Sequence, residues 1–139
     1  MPSPDNLILL IEDSDDDVFF FKRALGQAKL SNPVQVLPDA AQAIKYLEGS
    51  EPFADRTQFP VPRIVFVDLH LPSKDGFDLI KWLGDKPQFR NLHIVAISGI
   101  GRIEDIDRAY QMGANSFVTK PIKPEDLQNL ARGFATSWG

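Results

Sequence analysis

Ile64-Val65-Phe66-Val67-Asp68-Leu69-His70-Leu71-Pro72, with Asp75-Gly76 just beyond, is the stretch from which the rest of the chain is best read. Four β-favouring apolar residues, then a carboxylate, then a Pro and a Gly, describe a buried strand that delivers an acid to its C-terminal end. In open parallel α/β sheets that edge is where ligands bind. A lone strand-end Asp more often caps the following helix. Asp68 has company, however: two further acids and a Lys-Pro pair end other predicted strands of the same chain.

Outward from this stretch, apolar runs alternate with helical periods. Leu7 to Ile11 reads as a first strand and Asp15 to about Ala28 as a helix, with Asp15, Asp16 and Asp17 suited mainly to the positive end of its dipole. Val34 to Leu37 is a short second strand, and Ala40 to Leu47 a helix closed by Gly49. Ser50 to Pro62 holds three of the 11 Pro and no period, so it reads as a loop. It exceeds the ~2–6 residues usual for such connections. Ile64 to Val67 is the third strand, Phe77 to about Lys86 the third helix, and His93 to Ile97 the fourth strand. A helix from about Ile103 to Met112, capped by Gly113, precedes a fifth strand at Ser116 to Val118. Pro124-Glu125-Asp126 opens the last helix, whose core stripe is Leu127, Leu130, Ala131 and Phe134, with Trp138 beyond. Five βα units in a row predict a parallel sheet with helices on both faces.

Composition narrows the function classes. The 139 residues suffice for one domain with a single core, and we expect one domain over 1–139 with no output domain. No apolar run approaches the ~20 residues a membrane helix needs, and Met1-Pro-Ser-Pro-Asp-Asn6 lacks the pattern of a signal peptide. Zero Cys excludes disulfides and thiolate metal sites and suits the cytoplasm. A net charge of -4 argues against non-specific nucleic-acid binding.

The chemistry is carried by residues that follow strands: Glu12-Asp13 after the first, Asp68 at the third, Ser98 after the fourth, Lys120 after the fifth. Middle strands lie side by side, so these residues converge. Three carboxylates at one place repel each other unless a cation sits among them, and an oxygen-only donor set points to Mg²⁺. A carboxylate beside Mg²⁺ can attack phosphorus to give an acyl phosphate. The transition state then calls for positive charge and hydrogen-bond donors, which Lys120 and the Ser98 hydroxyl offer.

This pattern resembles the receiver domain of two-component response regulators over nearly the whole chain. Glu12-Asp13 matches the family's acid pair, Asp68 its phosphoacceptor, Ser98-Gly99 its Ser/Thr and small residue, and Lys120-Pro121 its Lys before a usually cis Pro. Asp68 to Gly76 reproduces the Asp-x-x-x-Pro-x-x-Asp-Gly signature. The resemblance implies a flavodoxin-like doubly wound fold with strand order 2-1-3-4-5 and one Mg²⁺. It further implies a metal contact from the His70 backbone carbonyl and a switch aromatic at Phe117. The expected function is acceptance of a phosphoryl group from a histidine kinase or phosphotransfer protein, without turnover of an external substrate. Ile11 to Asp17, the long loop and the lack of an output domain look like stand-alone receivers paired with phytochrome-type kinases. A homodimer through the face of the fourth and fifth elements is compatible with the family.

An EF-hand over Asp13-x-Asp15-x-Asp17 fails, because Val18 stands where Gly is required and Ala24 where Glu is. A phosphatase of the haloacid-dehalogenase type wants a second Asp two residues after the first, where His70 stands. A degenerate receiver acting only as an interaction module would not need the intact acids, Ser98 and Lys120. His70 and His93 lack the spacing of zinc ligands. In the first helix Val18, Phe21, Leu25 and Ala28 form the inward stripe, and Phe19 lies about 150° from its centre. Phe19 is therefore a candidate partner contact. Ile100, two residues past Ser98, is a candidate for restricting the hydrolytic water.

Overall fold

A computed structural model describes residues 7–71, 76–99 and 103–133. In chain order they form β1 (Ile8–Ile11), α1 (Asp15–Gln27), β2 (Val34–Leu37), α2 (Ala40–Glu48), β3 (Ile64–Asp68), α3 (Gly76–Gly84), β4 (His93–Ser98), α4 (Ile103–Met112), β5 (Ser116–Thr119) and α5 (Pro124–Gly133). The five strands are parallel in the order β2-β1-β3-β4-β5, the flavodoxin-like doubly wound sheet that was expected. Between β1 and β3 the direction of winding reverses. The crevice outside the strand ends at such a switch point is the usual ligand site of this architecture.

Helices cover both faces, which explains why the central strands read as continuous apolar runs rather than alternating ones. Leu9, Ile11, Val65, Val67, Ile94 and Ala96 point to the side of α2, α3 and α4. Ile8, Leu10, Ile64, Phe66, Val95 and Ile97 point to the side of α1 and α5. There Phe21 of α1 meets Phe66 edge-on, with ring centroids 4.9 Å apart. The buried stripe of α1 is Phe21, Ala24, Leu25 and Ala28, and Val18 is half-buried at its rim. Leu127 of α5 is fully buried, while Leu130 and Ala131 pack half-buried on the same cluster. Phe134 and Trp138 lie outside the described residues.

The helix ends follow local chemistry. Ser14 caps α1 by accepting the Asp17 amide, and Asp39 caps α2 by accepting the Gln42 amide at 2.8 Å. Gly49 closes α2 in the left-handed conformation, φ 73°, as its position after the apolar period predicts. The third helix stops at Gly84, two residues short of the expected Lys86. Pro87 disfavours helical geometry in the residue before it and opens a 3₁₀ turn at Pro87–Phe89. The long connection after α2 is held by side chains rather than by backbone periodicity. Phe53 and Phe59 pack on Tyr46, whose hydroxyl donates to the Pro60 carbonyl at 2.8 Å. Arg56 donates to the Leu47 and Phe59 carbonyls at 3.0 and 3.1 Å. Among the described residues no helix is long and apolar enough to cross a membrane.

Candidate functional site

Strand register sets the site. Ile11 pairs with Val67, Asp68 with Ile97, and Ser98 with Thr119, so the ends of β1, β3, β4 and β5 reach a common level. Glu12, Asp68, Ser98 and Lys120 stand at or one residue past those ends, and the first three are buried. The expected convergence of these residues is therefore present in the geometry.

Lys120 is the hub. Its ammonium lies 2.9 Å from Glu12 Oε1, 3.0 Å from Asp68 Oδ2 and 2.6 Å from Asp17 Oδ2. The Lys120 amide donates to the Ser98 carbonyl at 2.8 Å, which ties β5 to the end of β4. The following peptide bond, Lys120–Pro121, is cis. Asp68 Oδ1 accepts the His70 amide at 2.9 Å, so its two oxygens face different donors. The chain leaving Asp68 is pinned as well: the Leu69 amide donates to Ile97, and the Gly76 amide to Leu69. Gly76 has no room for a side chain, because a Cβ there would sit 2.1 Å from the Asp68 carbonyl oxygen.

Burial and charge act against each other here. Burial disfavours the ionised Asp68, but the His70 amide, the Glu12 carboxyl and the Lys120 ammonium outweigh it and hold the carboxyl below the usual range. For Glu12 burial wins and pushes the carboxyl up to about 7, against the pull of Lys120. Lys120 loses some charge stability to burial, yet Asp17, Glu12 and Asp68 together hold its ammonium above the ordinary value. Glu12, Asp13 and Asp68 each place a carboxylate oxygen within 4.8 Å of the others, and only Asp13 is exposed. Such an all-oxygen group, open to water on one side, suits a hard divalent cation.

Asp17 was not expected here. The reading of Asp15, Asp16 and Asp17 as mainly partners of the helix dipole is corrected for Asp17, whose carboxylate makes the shortest contact to Lys120. Three adjacent Asp look alike in sequence. The α1 cap at Ser14 decides which of them turns inward, and a Ser followed three residues later by an acid was the available signal. His70 and His93 are not brought together. The exposed His70 ring lies 3.7 Å from Asp105, and the buried His93 ring bonds Ser116 Oγ at 2.9 Å. Phe117 is half-buried against the α2–α3–α4 side of the sheet. Phe19 is 60% exposed, facing away from the core as its helical angle predicts, and meets the 50% exposed Phe20 edge-on. Phe20 also lines a cavity of about 270 Å³ beside Asp17, Lys120, Pro121 and Ile122. Pro72 and Asp75 of the signature, and Ile100, lie outside the described residues.

The sequence profile of the response regulator receiver domain matches residues 8–132. The chain belongs to that family. As a receiver domain it is a component of two-component signalling. Among its relatives is the two-component response regulator ARR6 of Arabidopsis thaliana, 31% identical over 92% of this chain and 69% of that protein. Among solved structures it is similar to the bacteriophytochrome response regulator AtBRR, 28% identical with a TM-score of 0.83 over 96% of this receiver and 95% of that chain. It is also similar to the phosphorylated cyanobacterial phytochrome response regulator RcpA, 25% identical with a TM-score of 0.77 over 96% and 93%.

Proposed function

We propose that this receiver accepts a phosphoryl group on Asp68 from a phosphohistidine donor. The observation that carries the proposal is the state of Asp68: a buried carboxylate kept ionised at a strand end, one oxygen on the His70 amide and the other on Lys120. An Asp68 oxygen attacks phosphorus as the phosphorus–nitrogen bond to the donor imidazole breaks. The electron pair stays on that ring, which takes up a proton. Lys120 then donates to the transferred phosphoryl group, and Ser98, fully buried at the end of β4, offers its hydroxyl from the neighbouring strand. Glu12, Asp13 and Asp68, with the His70 carbonyl, are the residues that would hold Mg²⁺. When bound, the cation neutralises the charge that develops on the phosphoryl oxygens.

The partner is a histidine kinase or phosphotransfer protein, and the likeness to AtBRR and RcpA supports a phytochrome-type kinase. The exposed Phe19 on α1 offers an apolar contact for it. Acting as a single receiver domain in the cytoplasm, without turning over an external substrate, the protein passes its signal by contact or by onward phosphotransfer. Phe117 is the aromatic whose setting changes when Ser98 is drawn toward the phosphoryl group. The exposed Ile103 and Tyr110 of α4 give a homodimer an apolar face to use.

The test is to incubate the chain with acetyl phosphate and Mg²⁺ and to weigh the intact protein. One phosphoryl group gained, abolished by chelator and by Asp68→Asn, is the expected result. Rapid turnover of many phosphate esters would indicate a phosphatase, and no adduct a pure interaction module.

A further inference from the structure

An ammonium has three N–H donors, and at Lys120 three carboxylates stand ready for them: Asp17 at 2.6 Å, Glu12 at 2.9 Å and Asp68 at 3.0 Å. The three are not equivalent. Glu12 and Asp68 belong, with Asp13, to the group spaced to share a divalent cation, and Asp17 does not. Once a cation sits among that group, Lys120 must contend with it for Glu12 and Asp68. Asp17 is then the one anchor of the three that the cation does not claim.

Asp17 is also well aimed. Its amide donates to Ser14 Oγ at 3.3 Å, and the Ser14 amide donates to Glu12 Oε2 at 3.3 Å. Helix cap, acid and lysine therefore form one connected chain running from the end of β1 through the first turn of α1 to the start of the β5–α5 connection. Lys is a point charge on a flexible four-carbon stem, so its ammonium meets a phosphoryl oxygen at a fixed place only if something restricts the stem.

We propose that Asp17 is a positioning residue for Lys120, anchoring the ammonium from the α1 side so that its remaining donors face Asp68. The inference rests on the reading of Asp68 as the phosphoacceptor. When the phosphoryl group arrives, Lys120 exchanges its Asp68 contact for a phosphoryl oxygen while Asp17 keeps the ammonium in place.

The experiment uses the full chain as wild type, Asp17→Asn and Asp17→Glu, with two readouts. The first is metal-free: acylation of Lys120 by acetic anhydride, followed by peptide mass spectrometry, with the exposed Lys81 as internal reference. Asp17→Asn is expected to raise Lys120 reactivity severalfold relative to Lys81, whereas general loosening of the fold would raise both. The second is the rate of adduct formation from acetyl phosphate at saturating Mg²⁺. It is expected to fall roughly tenfold in Asp17→Asn, on the scale of a lost positioning contact, and to recover in large part in Asp17→Glu. An unchanged or raised rate in Asp17→Asn overturns the proposal, as does unchanged Lys120 reactivity. Wild-type protein that takes up no phosphoryl group overturns the reading of Asp68 itself, and the proposal with it.

Discussion

Asp68 and His93 are both buried at the sheet, and burial leaves them in opposite states. Asp68 keeps its charge because a cation and an amide compensate it. His93, at the other end of the strands, has Ser116 for a neighbour, and burial pushes it down to about 4, so the folded protein holds it neutral. The sign of the consequence follows from linkage. Above the ordinary His value of about 6.5 neither the folded nor the unfolded chain binds this proton, and stability is unaffected. Between about 6.5 and 4 the unfolded chain takes up a proton that the folded one refuses, so stability falls as pH drops through that window. By pH 5 the loss attributable to this residue should be of order 1–2 kcal/mol. Urea unfolding of wild type and His93→Gln at pH 7.5 and pH 5 checks it: the variant should lose less stability on acidification. Parallel losses in the two proteins would remove His93 as the cause.

Elements set how accurately these residues meet. α3 begins so close to the end of β3 that a Cβ on Gly76 would lie 2.1 Å from the Asp68 carbonyl oxygen and 2.7 Å from Leu69 Cα. Both are backbone atoms and cannot swing aside. Gly76→Ala should therefore cost at least about 2 kcal/mol in urea unfolding, in the range of backbone clashes, and slow acetyl-phosphate labelling because Asp68 moves with its backbone. Unaltered stability and labelling would mean that the α3 start yields without strain. On α1, the exposed Phe19 can be shortened without touching the core. Phe19→Ala should leave stability within ~0.5 kcal/mol, keep small-molecule phosphorylation intact and slow phosphotransfer from the partner kinase. Equal effects on both reactions, or none on either, would discard it as a docking contact. The helical period made Phe19 legible from sequence. It did not separate Asp17 from Asp15 and Asp16, because that depends on where Ser14 starts the helix.

At the scale of the whole molecule, alternating apolar runs and helical periods were sufficient for a parallel sheet covered on both faces, because each central strand is buried on both faces and says so in its composition, whereas the strand order followed from the resemblance to receiver domains. Glu12, Asp13, Asp68, Ser98 and Lys120 were legible for the same reason: each follows a strand whose end could be located. What escaped the sequence was held by contacts across the chain without a period to announce them. The clasp of Tyr46, Phe53, Phe59 and Arg56 over the long connection is one case. The reach of Asp17 to Lys120, distant in sequence but 2.6 Å apart, is another. The architecture gathers Glu12, Asp13, Asp17, Asp68 and Lys120 at one sheet edge and keeps Asp68 buried, ionised and bonded to the central lysine. Mapping the modified residue shows whether Asp68 receives the phosphoryl group. After treatment with acetyl phosphate and Mg²⁺, borohydride converts an aspartyl phosphate to homoserine, which peptide mass spectrometry locates. Conversion at position 68 in wild-type protein is the expected result. Conversion at another acid, with position 68 still aspartate, would contradict it.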